Sequence, residues 1–83
     1  ICAAPSILGE MGLLKGRTAT CYPGFEDKLE GVSYTRQGVI TDGNITTARG
    51  LGYALDLGIE LIRLLMGPQH AQMVKDSIQY DQV

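Results

Sequence analysis

The spacing of apolar residues changes along the first thirty positions, from helical spacing to a short run of β-forming residues, and this change predicts the elements there. Within residues 1–16 we expect the end of a strand, a turn and then a short helix with apolar positions at helical spacing. Pro5 suits the first turn of this helix, where its missing N–H is not needed. Residues 17–22 are rich in β-formers. One or two helical turns are expected from Phe25 to Leu29.

The region 32–49 has the pattern of strands. A β-branched run, Val39-Ile40-Thr41, meets the dipeptide Asp42-Gly43 and is followed by a second run, residues 44–48. Asp-Gly between such runs is a strong signal for a hairpin. We therefore expect two antiparallel strands joined at Asp42-Gly43.

A long helix is predicted from Leu51 to Met66. Its polar residues Asp56, Glu60 and Arg63 share one face, and nearly all others are apolar. Such a narrow polar stripe is typical of a mostly buried helix. A further short helix is expected over residues 69–77.

Strand, helix, hairpin and helix in this order indicate an α/β fold with a mainly parallel sheet. Of the 83 residues, 45% are hydrophobic and 19% charged, which excludes intrinsic disorder. A domain of this size buries too little surface to be more than marginally stable, and it offers little to cover the long helix. We expect the chain to be the C-terminal part of a longer one, or to need a partner subunit.

Charge and cysteine content exclude several classes of function. The net charge of −2 gives no support to nucleic-acid binding, and no apolar stretch is long enough to span a membrane. Two cysteines exclude a disulfide-stapled scaffold, so a reducing, cytoplasmic location is expected. Two cysteines and one histidine form no zinc pattern, and Gly50-Leu51-Gly52 lacks the third glycine of a dinucleotide motif, so no metal and no cofactor are predicted.

Cys2 is the residue that best fits a chemical role. It precedes the small residues Ala3 and Ala4 and then a helix start, as a sharp strand-to-helix turn requires. The free N–H groups of a helix start stabilise a thiolate, and the N–H of Ala3 can bind a developing oxyanion. The alternative is a small cysteine packed under the helix.

Three sequence blocks resemble the ThiJ/PfpI superfamily, in particular its deglycase branch. They are Ile1-Cys2-Ala3-Ala4-Pro5, Thr20-Cys21-Tyr22-Pro23 and Thr47-Ala48-Arg49-Gly50-Leu51-Gly52. The resemblance implies a flavodoxin-like three-layer α/β sandwich of which residues 1–83 form the C-terminal half, starting at the nucleophile elbow. It also implies a homodimer, a nucleophilic and easily oxidised Cys2, and a partner glutamate supplied by the N-terminal half. None of Glu10, Glu26, Glu30 and Glu60 matches that glutamate.

Two other positions enter through the resemblance. Tyr22 stands where many relatives have histidine, and a phenol is a poor proton shuttle at pH 7, which weakens a Cys–His dyad. The alternative for Tyr22 is a rim aromatic without a chemical role. Arg49 matches an arginine near the cysteine pocket or dimer interface, where it can bind an anion; the alternative is a structural ion pair.

Cys21 and His70 complete the set of candidate residues. Cys21 is a candidate to resolve a sulfenic acid on Cys2, although a small strand residue is the simpler interpretation. His70 has no ligand partner by spacing and is expected to be a surface or packing residue.

The function expected from these residues is a cofactor-free, glyoxalase- or deglycase-like reaction in which Cys2 adds to a small carbonyl substrate. The alternative is a redox-sensing or chaperone-like protein in which Cys2 is oxidised. A cysteine peptidase is disfavoured because Ala3 stands where those relatives have histidine. A last possibility is a structural half, inactive without its N-terminal portion.

Overall fold

The computed structural model describes residues 1–81. It has three α-helices, α1 (Ala4–Glu10), α2 (Ala54–Met66) and α3 (Pro68–Ser77), and four strands, β1 (Thr18–Ala19), β2 (Ser33–Tyr34), β3 (Val39–Asp42) and β4 (Ile45–Ala48). Short 3₁₀ turns cover Glu26–Lys28 and Leu51–Tyr53. The prediction of an α/β chain with a hairpin between two helical parts is confirmed.

The strands form two pairs. β1 and β2 are parallel, whereas β3 and β4 are antiparallel, with Asp42 paired to Ile45. The turn of the hairpin therefore consists of Gly43 and Asn44, and the returning strand begins one residue later than expected. Gly43 has a φ of 63°, a left-handed conformation that glycine adopts without steric cost.

Side chains join the two strand pairs. The N–H of Thr18 donates to the Asp42 carboxylate at 2.7 Å, and the N–H of Thr20 donates to the Thr47 hydroxyl at 3.0 Å. These bonds satisfy N–H groups that would otherwise be left without partners beside the hairpin. As a result, β1 and the residues after it are held against β3 and β4.

A small core lies under α1. Leu14, Ala19, Cys21 and Leu29 are buried together, and Leu8, Val32, Tyr34 and Ile45 pack against them. Gly9 of α1 allows the helix to approach closely, because an added Cβ would lie 2.6 Å from the Lys28 carbonyl oxygen. This core fixes α1 relative to β1, and thereby the turn that precedes α1.

The helix α2 begins at Ala54 rather than at the predicted Leu51, because a 3₁₀ turn over Leu51–Tyr53 leads into it. No α2 residue is buried within residues 1–81. This agrees with the expectation that these residues offer little to cover the helix. Its exposed apolar side chains are Leu55, Leu61, Leu64, Leu65 and Met66.

Part of the polar stripe of α2 contacts the hairpin through Glu60. The Thr41 hydroxyl of β3 donates to Glu60 at 2.7 Å, and Arg63 holds the same carboxylate with two bonds, at 2.7 and 2.9 Å. Asp56 accepts a hydrogen bond from Tyr80. Two acidic residues of the stripe are thus bound within the molecule, whereas Arg63 stays exposed and the apolar Leu57, Ile59 and Ile62 are half-buried.

The helix α3 packs against α2 and begins one residue before the predicted start. Gly67, with a φ of 95°, separates the two helices as the sequence indicated. Among residues 1–81 no helix has the length and apolar character needed to cross a membrane.

Candidate functional site around Cys2

Cys2 occupies a strained bend directly before α1. Its φ of 63° lies in the left-handed region that side chains other than glycine rarely adopt. Such a residue costs on the order of 1–2 kcal/mol and persists only where its surroundings hold it. The predicted sharp turn at Cys2 is therefore present, and its sulfur belongs to a half-buried residue rather than to the core.

Two backbone hydrogen bonds hold the bend. The N–H of Cys2 donates to the Ala48 carbonyl at 3.0 Å, and the Cys2 carbonyl accepts the N–H of Tyr22 at 2.8 Å. Cys2 is thus fixed between the segment that follows β1 and the end of β4. The three family-like blocks of the sequence meet at this point.

The start of α1 leaves one donor beside the thiol. Ala3 is the N-cap, and its carbonyl accepts bonds from the hydroxyl and the N–H of Ser6 at 2.6 and 3.0 Å. The N–H of Ala4 donates to the Ile1 carbonyl, and Pro5 has no N–H. Within residues 1–81 the N–H of Ala3 has no hydrogen-bond partner, so it is available to a ligand atom bound at Cys2.

Tyr22, whose N–H donates to the Cys2 carbonyl, and Arg49 line one groove. The groove has a volume of about 420 Å³ and is lined by Tyr22, Pro23, Arg49, Gly50, Leu51, Gly52 and Tyr53. The Tyr22 ring packs edge-on against Phe25, with 6.4 Å between ring centroids. Its hydroxyl makes no hydrogen bond to any residue in the range 1–81. This placement at the rim agrees with either of the two interpretations of Tyr22.

Arg49 is held by backbone groups. Its N–H donates to the Gly38 carbonyl at 2.9 Å, and one guanidinium nitrogen donates to the Arg36 carbonyl at 3.1 Å. No carboxylate among the described residues forms an ion pair with it. The remaining guanidinium donors therefore border the groove without a structural ion pair to occupy them.

Cys21 lies in a different environment from Cys2. Its side chain is 0% exposed and belongs to the core cluster. Burial raises the pKa of the Cys21 thiol, and the nearby carboxylates of Glu26 and Asp27 raise it further. A buried neutral thiol is inert, so the structure argues against a resolving role. The alternative of a small strand residue holds for its size and burial, although Cys21 lies two residues after the end of β1.

None of the four glutamates hydrogen-bonds Cys2 within the described chain. Glu26 accepts the Gly24 N–H at 2.6 Å, and hydrogen bonds from its own backbone N–H and from Gly24 lower its pKa. Glu60 is engaged by Arg63 and Thr41. Glu10 and Glu30 are exposed.

His70 is exposed on α3, as expected. Residues 1–81 contain no group of three or more histidine, cysteine or acidic side chains arranged to hold a metal ion.

The sequence reasoning missed Tyr53 and Leu51 as lining residues of the groove. The sequence pattern assigns both to the long helix, whereas they lie in the 3₁₀ turn before it and line the same groove as Tyr22. The signal that was available is Gly38, because glycine here leaves room for a ring. A Cβ on Gly38 would overlap the Tyr53 ring.

Residues 1–64 match the model of the DJ-1/PfpI family. The chain is 37% identical over 67 residues to a protein named deglycase of Pyrococcus abyssi, covering 78% of this chain and 40% of that one. It is 32% identical over 82 residues to the isonitrile hydratase of Pseudomonas putida, covering 96% and 36% of the two chains.

Solved structures give the same result for the fold. The crystal structure of DJ-1beta from Drosophila melanogaster superposes with a TM-score of 0.86 at 32% identity, over 94% of this chain and 43% of that chain. The chain spans less than half the length of the curated relatives it matches. The predicted resemblance and fold are confirmed, and the chain belongs to the DJ-1/PfpI family.

Proposed function

We propose that this chain supplies the nucleophile of a cofactor-free enzyme that acts on small reactive aldehydes, with Cys2 as the attacking group. The observation that carries the proposal is the strained bend at Cys2, held from both sides by Ala48 and Tyr22, next to the unpartnered N–H of Ala3. Residues held in rarely populated backbone conformations are concentrated at functional sites. Membership of a family that includes a named deglycase agrees with an enzymatic role.

In the proposed reaction the Cys2 thiolate attacks the aldehyde carbon of a 2-oxoaldehyde. A carbon–sulfur bond forms, and the carbonyl electron pair moves to the oxygen to give a hemithioacetal. The Ala3 N–H donates a hydrogen bond to this oxygen as its charge develops. This oxygen takes up a proton to complete the hemithioacetal. A base then moves the proton from the former aldehyde carbon to the neighbouring carbon, while the hydroxyl proton passes to the neighbouring oxygen, which leaves the thioester of a 2-hydroxy acid. Water cleaves this thioester to the 2-hydroxy acid and the free thiol. Methylglyoxal would give lactate in this way.

The base is proposed to be a glutamate of the N-terminal half of the protein. No carboxylate among residues 1–81 hydrogen-bonds Cys2, and the chain is much shorter than its relatives. We propose accordingly that residues 1–83 are the C-terminal half of one domain. The exposed apolar side of α2 supports a covering partner, which we take to be the N-terminal half, with a second copy of the whole protein completing a homodimer.

Methylglyoxal turnover by the full-length protein tests this proposal. Cys2→Ser is expected to lower kcat/KM by at least about 10³-fold, because a hydroxyl at pH 7 is a far weaker nucleophile than a thiolate. Cys21→Ala is the matched control and should retain turnover, since that thiol is sealed in the core. Equal rates in the wild type and Cys2→Ser would exclude the enzymatic proposal.

A redox role of the same residue is the second candidate. It is favoured by the burial of Cys21, which leaves a sulfenic acid on Cys2 without a resolving thiol among the described residues. Two equivalents of hydrogen peroxide would then take Cys2 to the sulfinic acid, each adding one oxygen and releasing water. Mass spectrometry after peroxide treatment should show two added oxygen atoms on Cys2 and none on Cys21. If this protein shows no aldehyde turnover but forms the sulfinic acid readily, the redox role is the correct one.

A further inference from the structure

Thr47 of β4 forms a buried hydrogen bond to a segment far from it in the chain. Its hydroxyl oxygen accepts the N–H of Thr20 at 3.0 Å, across 27 positions. Thr47 is 2% exposed and Thr20 is 0% exposed. The hydroxyl of Thr20 has no hydrogen-bond partner within residues 1–81, so the hydrogen bond between the two residues is the one that the Thr47 hydroxyl accepts. Loss of this hydroxyl would leave a buried N–H without a partner, which is costly.

This bond lies next to both backbone bonds of the bend at Cys2. Thr47 directly precedes Ala48, whose carbonyl accepts the Cys2 N–H. Thr20 lies two positions before Tyr22, whose N–H donates to the Cys2 carbonyl. The two bonds to Cys2 and the bond to the Thr47 hydroxyl therefore close a ring that passes through the bend. This ring sets the spacing between the two segments on either side of Cys2.

Strand pairing does not hold this spacing within residues 1–81. β1 pairs with β2, β4 pairs with β3, and no backbone hydrogen bond joins β1 to β4. Side chains of the hairpin take the place of such a ladder: Asp42 accepts the N–H of Thr18, and Thr47 accepts the N–H of Thr20. Asp42 lies at the turn of the hairpin, so Thr47 is the one of the two that adjoins the bend.

The bend depends on this spacing because Cys2 is strained. Its φ of 63° is a conformation that persists only where the surroundings hold it. The strain in such a residue is of the same order as the net contribution of one hydrogen bond. If the two segments separate, one of the bonds to Cys2 is lost and the residue can relax.

We propose that Thr47 is a positioning residue for Cys2. Its hydroxyl keeps the segments of Ala48 and Tyr22 at the spacing that holds the bend, and it thereby fixes the position of the Cys2 thiol. Thr47 acts through the backbone around Cys2 and takes no part in bond making. The inference rests on the proposed function for its turnover readout and is independent of that function for its alkylation readout.

The first test measures the rate of Cys2 alkylation by iodoacetamide in the native, full-length protein that contains this chain. Thr47→Val removes the hydroxyl with little change of shape. It should lower the rate towards that of glutathione by about three- to tenfold, a factor that corresponds to one net hydrogen bond. The physical reason is that fixed surroundings are needed to favour the thiolate of a cysteine, and a relaxed bend no longer provides them. Thr47→Ser retains the hydroxyl and should restore the rate to within about twofold of the wild type.

Thr46→Val is the matched control. Thr46 precedes Thr47 on β4, is half-buried, and shares a hydrogen bond of 2.9 Å with the Thr41 hydroxyl. The substitution removes a hydroxyl from the same strand without touching the ring around Cys2, so the rate should stay within about twofold of the wild type. If Thr47→Val does not fold, Thr47→Ala takes its place, because it removes the hydroxyl and adds no atom.

Three results of the alkylation test would overturn the proposal. The first is an equal rate in the wild type and in the Thr47 variant that lacks the hydroxyl. The second is a fall of equal size in Thr46→Val, which would mean that any weakening of β4 has the same effect. The third is a fall that Thr47→Ser does not reverse.

The second test separates kcat from KM for methylglyoxal. Thr47→Val should lower kcat at least about fivefold and change KM less than about twofold, because a displaced nucleophile slows the attack whereas Thr47 does not bind the substrate. If the wild type does not turn over methylglyoxal, the proposed function fails, and the alkylation rates alone decide for or against Thr47. In a protein that does turn it over, an unchanged kcat in Thr47→Val refutes the positioning role.

Discussion

The region around Cys2 and the α2–α3 pair differ in how completely residues 1–81 pack and cover them. Around Cys2, backbone bonds to Ala48 and Tyr22 and a core centred on Leu14 keep a strained residue in place. In α2, Glu60 is bound to the hairpin, and several apolar side chains are left exposed, with Leu65 at 83%. The bend at Cys2 is thus positioned by contacts inside the chain, whereas much of the apolar surface of α2 is left uncovered by residues 1–81.

The largest loss of stability is expected from a substitution in the core that supports the Cys2 region. Leu14→Ala should lower the free energy of unfolding by about 3 kcal/mol, because it removes a 1% exposed side chain and leaves a cavity under α1. The neighbouring Leu13→Ala, at an exposed position, should cost less than about 1 kcal/mol. Urea unfolding measures both, and equal losses would mean that this core does not hold the Cys2 region.

A second effect of about 1–3 kcal/mol is expected at Gly38, where the two regions touch. Gly38→Ala places a Cβ into the Tyr53 ring, so the turn that leads into α2 must move. Gly52→Ala is the matched control, since a Cβ there meets no atom within 4 Å. Thermal unfolding should show a clear loss for the first variant and almost none for the second. Similar values would contradict the close packing of Tyr53 on Gly38.

The smallest effect, a loss of about 1 kcal/mol in the free energy of unfolding, is expected from the hydrogen bond between Thr41 of the hairpin and Glu60 of α2. Bonds from Arg63 and then Thr41 hold the pKa of Glu60 below its ordinary value. The Glu60 carboxylate therefore contributes its full stabilisation of the fold at pH values above the ordinary glutamate pKa. This stabilisation is lost as the pH falls through the lowered pKa. Glu60→Gln should be less stable than the wild type at pH 7, and the difference should vanish in acid.

Glu10→Gln serves as the control for this titration, because Glu10 is exposed on α1. Its stability should stay within about 0.5 kcal/mol of the wild type at both pH values. A difference for Glu60→Gln that persists unchanged in acid would show that the carboxylate charge is not what ties α2 to β3.

Local signals were sufficient for the elements and for the bend at Cys2. Pro5 marked the start of α1, Asp42-Gly43 marked the hairpin, and small residues after Cys2 marked the turn. These features depend on residues that are near one another in sequence, where sterics and turn chemistry act directly.

The remaining features depend on contacts between distant residues. A narrow polar stripe separates the two faces of α2 but does not say which face meets the hairpin; that depends on Thr41 reaching Glu60. The groove depends on Tyr53 lying on Gly38, fifteen positions earlier in the chain. The difference in burial between Cys2 and Cys21 also depends on tertiary contacts, because Cys21 is buried by packing with distant residues such as Leu14 and Leu29.

The most direct measurement of the central claim is the alkylation of the two cysteines in the native, full-length protein, followed by mass spectrometry. With limiting iodoacetamide, Cys2 should be modified first and Cys21 only after unfolding in denaturant, because the former lies on a half-buried bend and the latter in the core. Modification of Cys21 at a rate equal to that of Cys2, or a native Cys2 that reacts no faster than glutathione, would contradict the account.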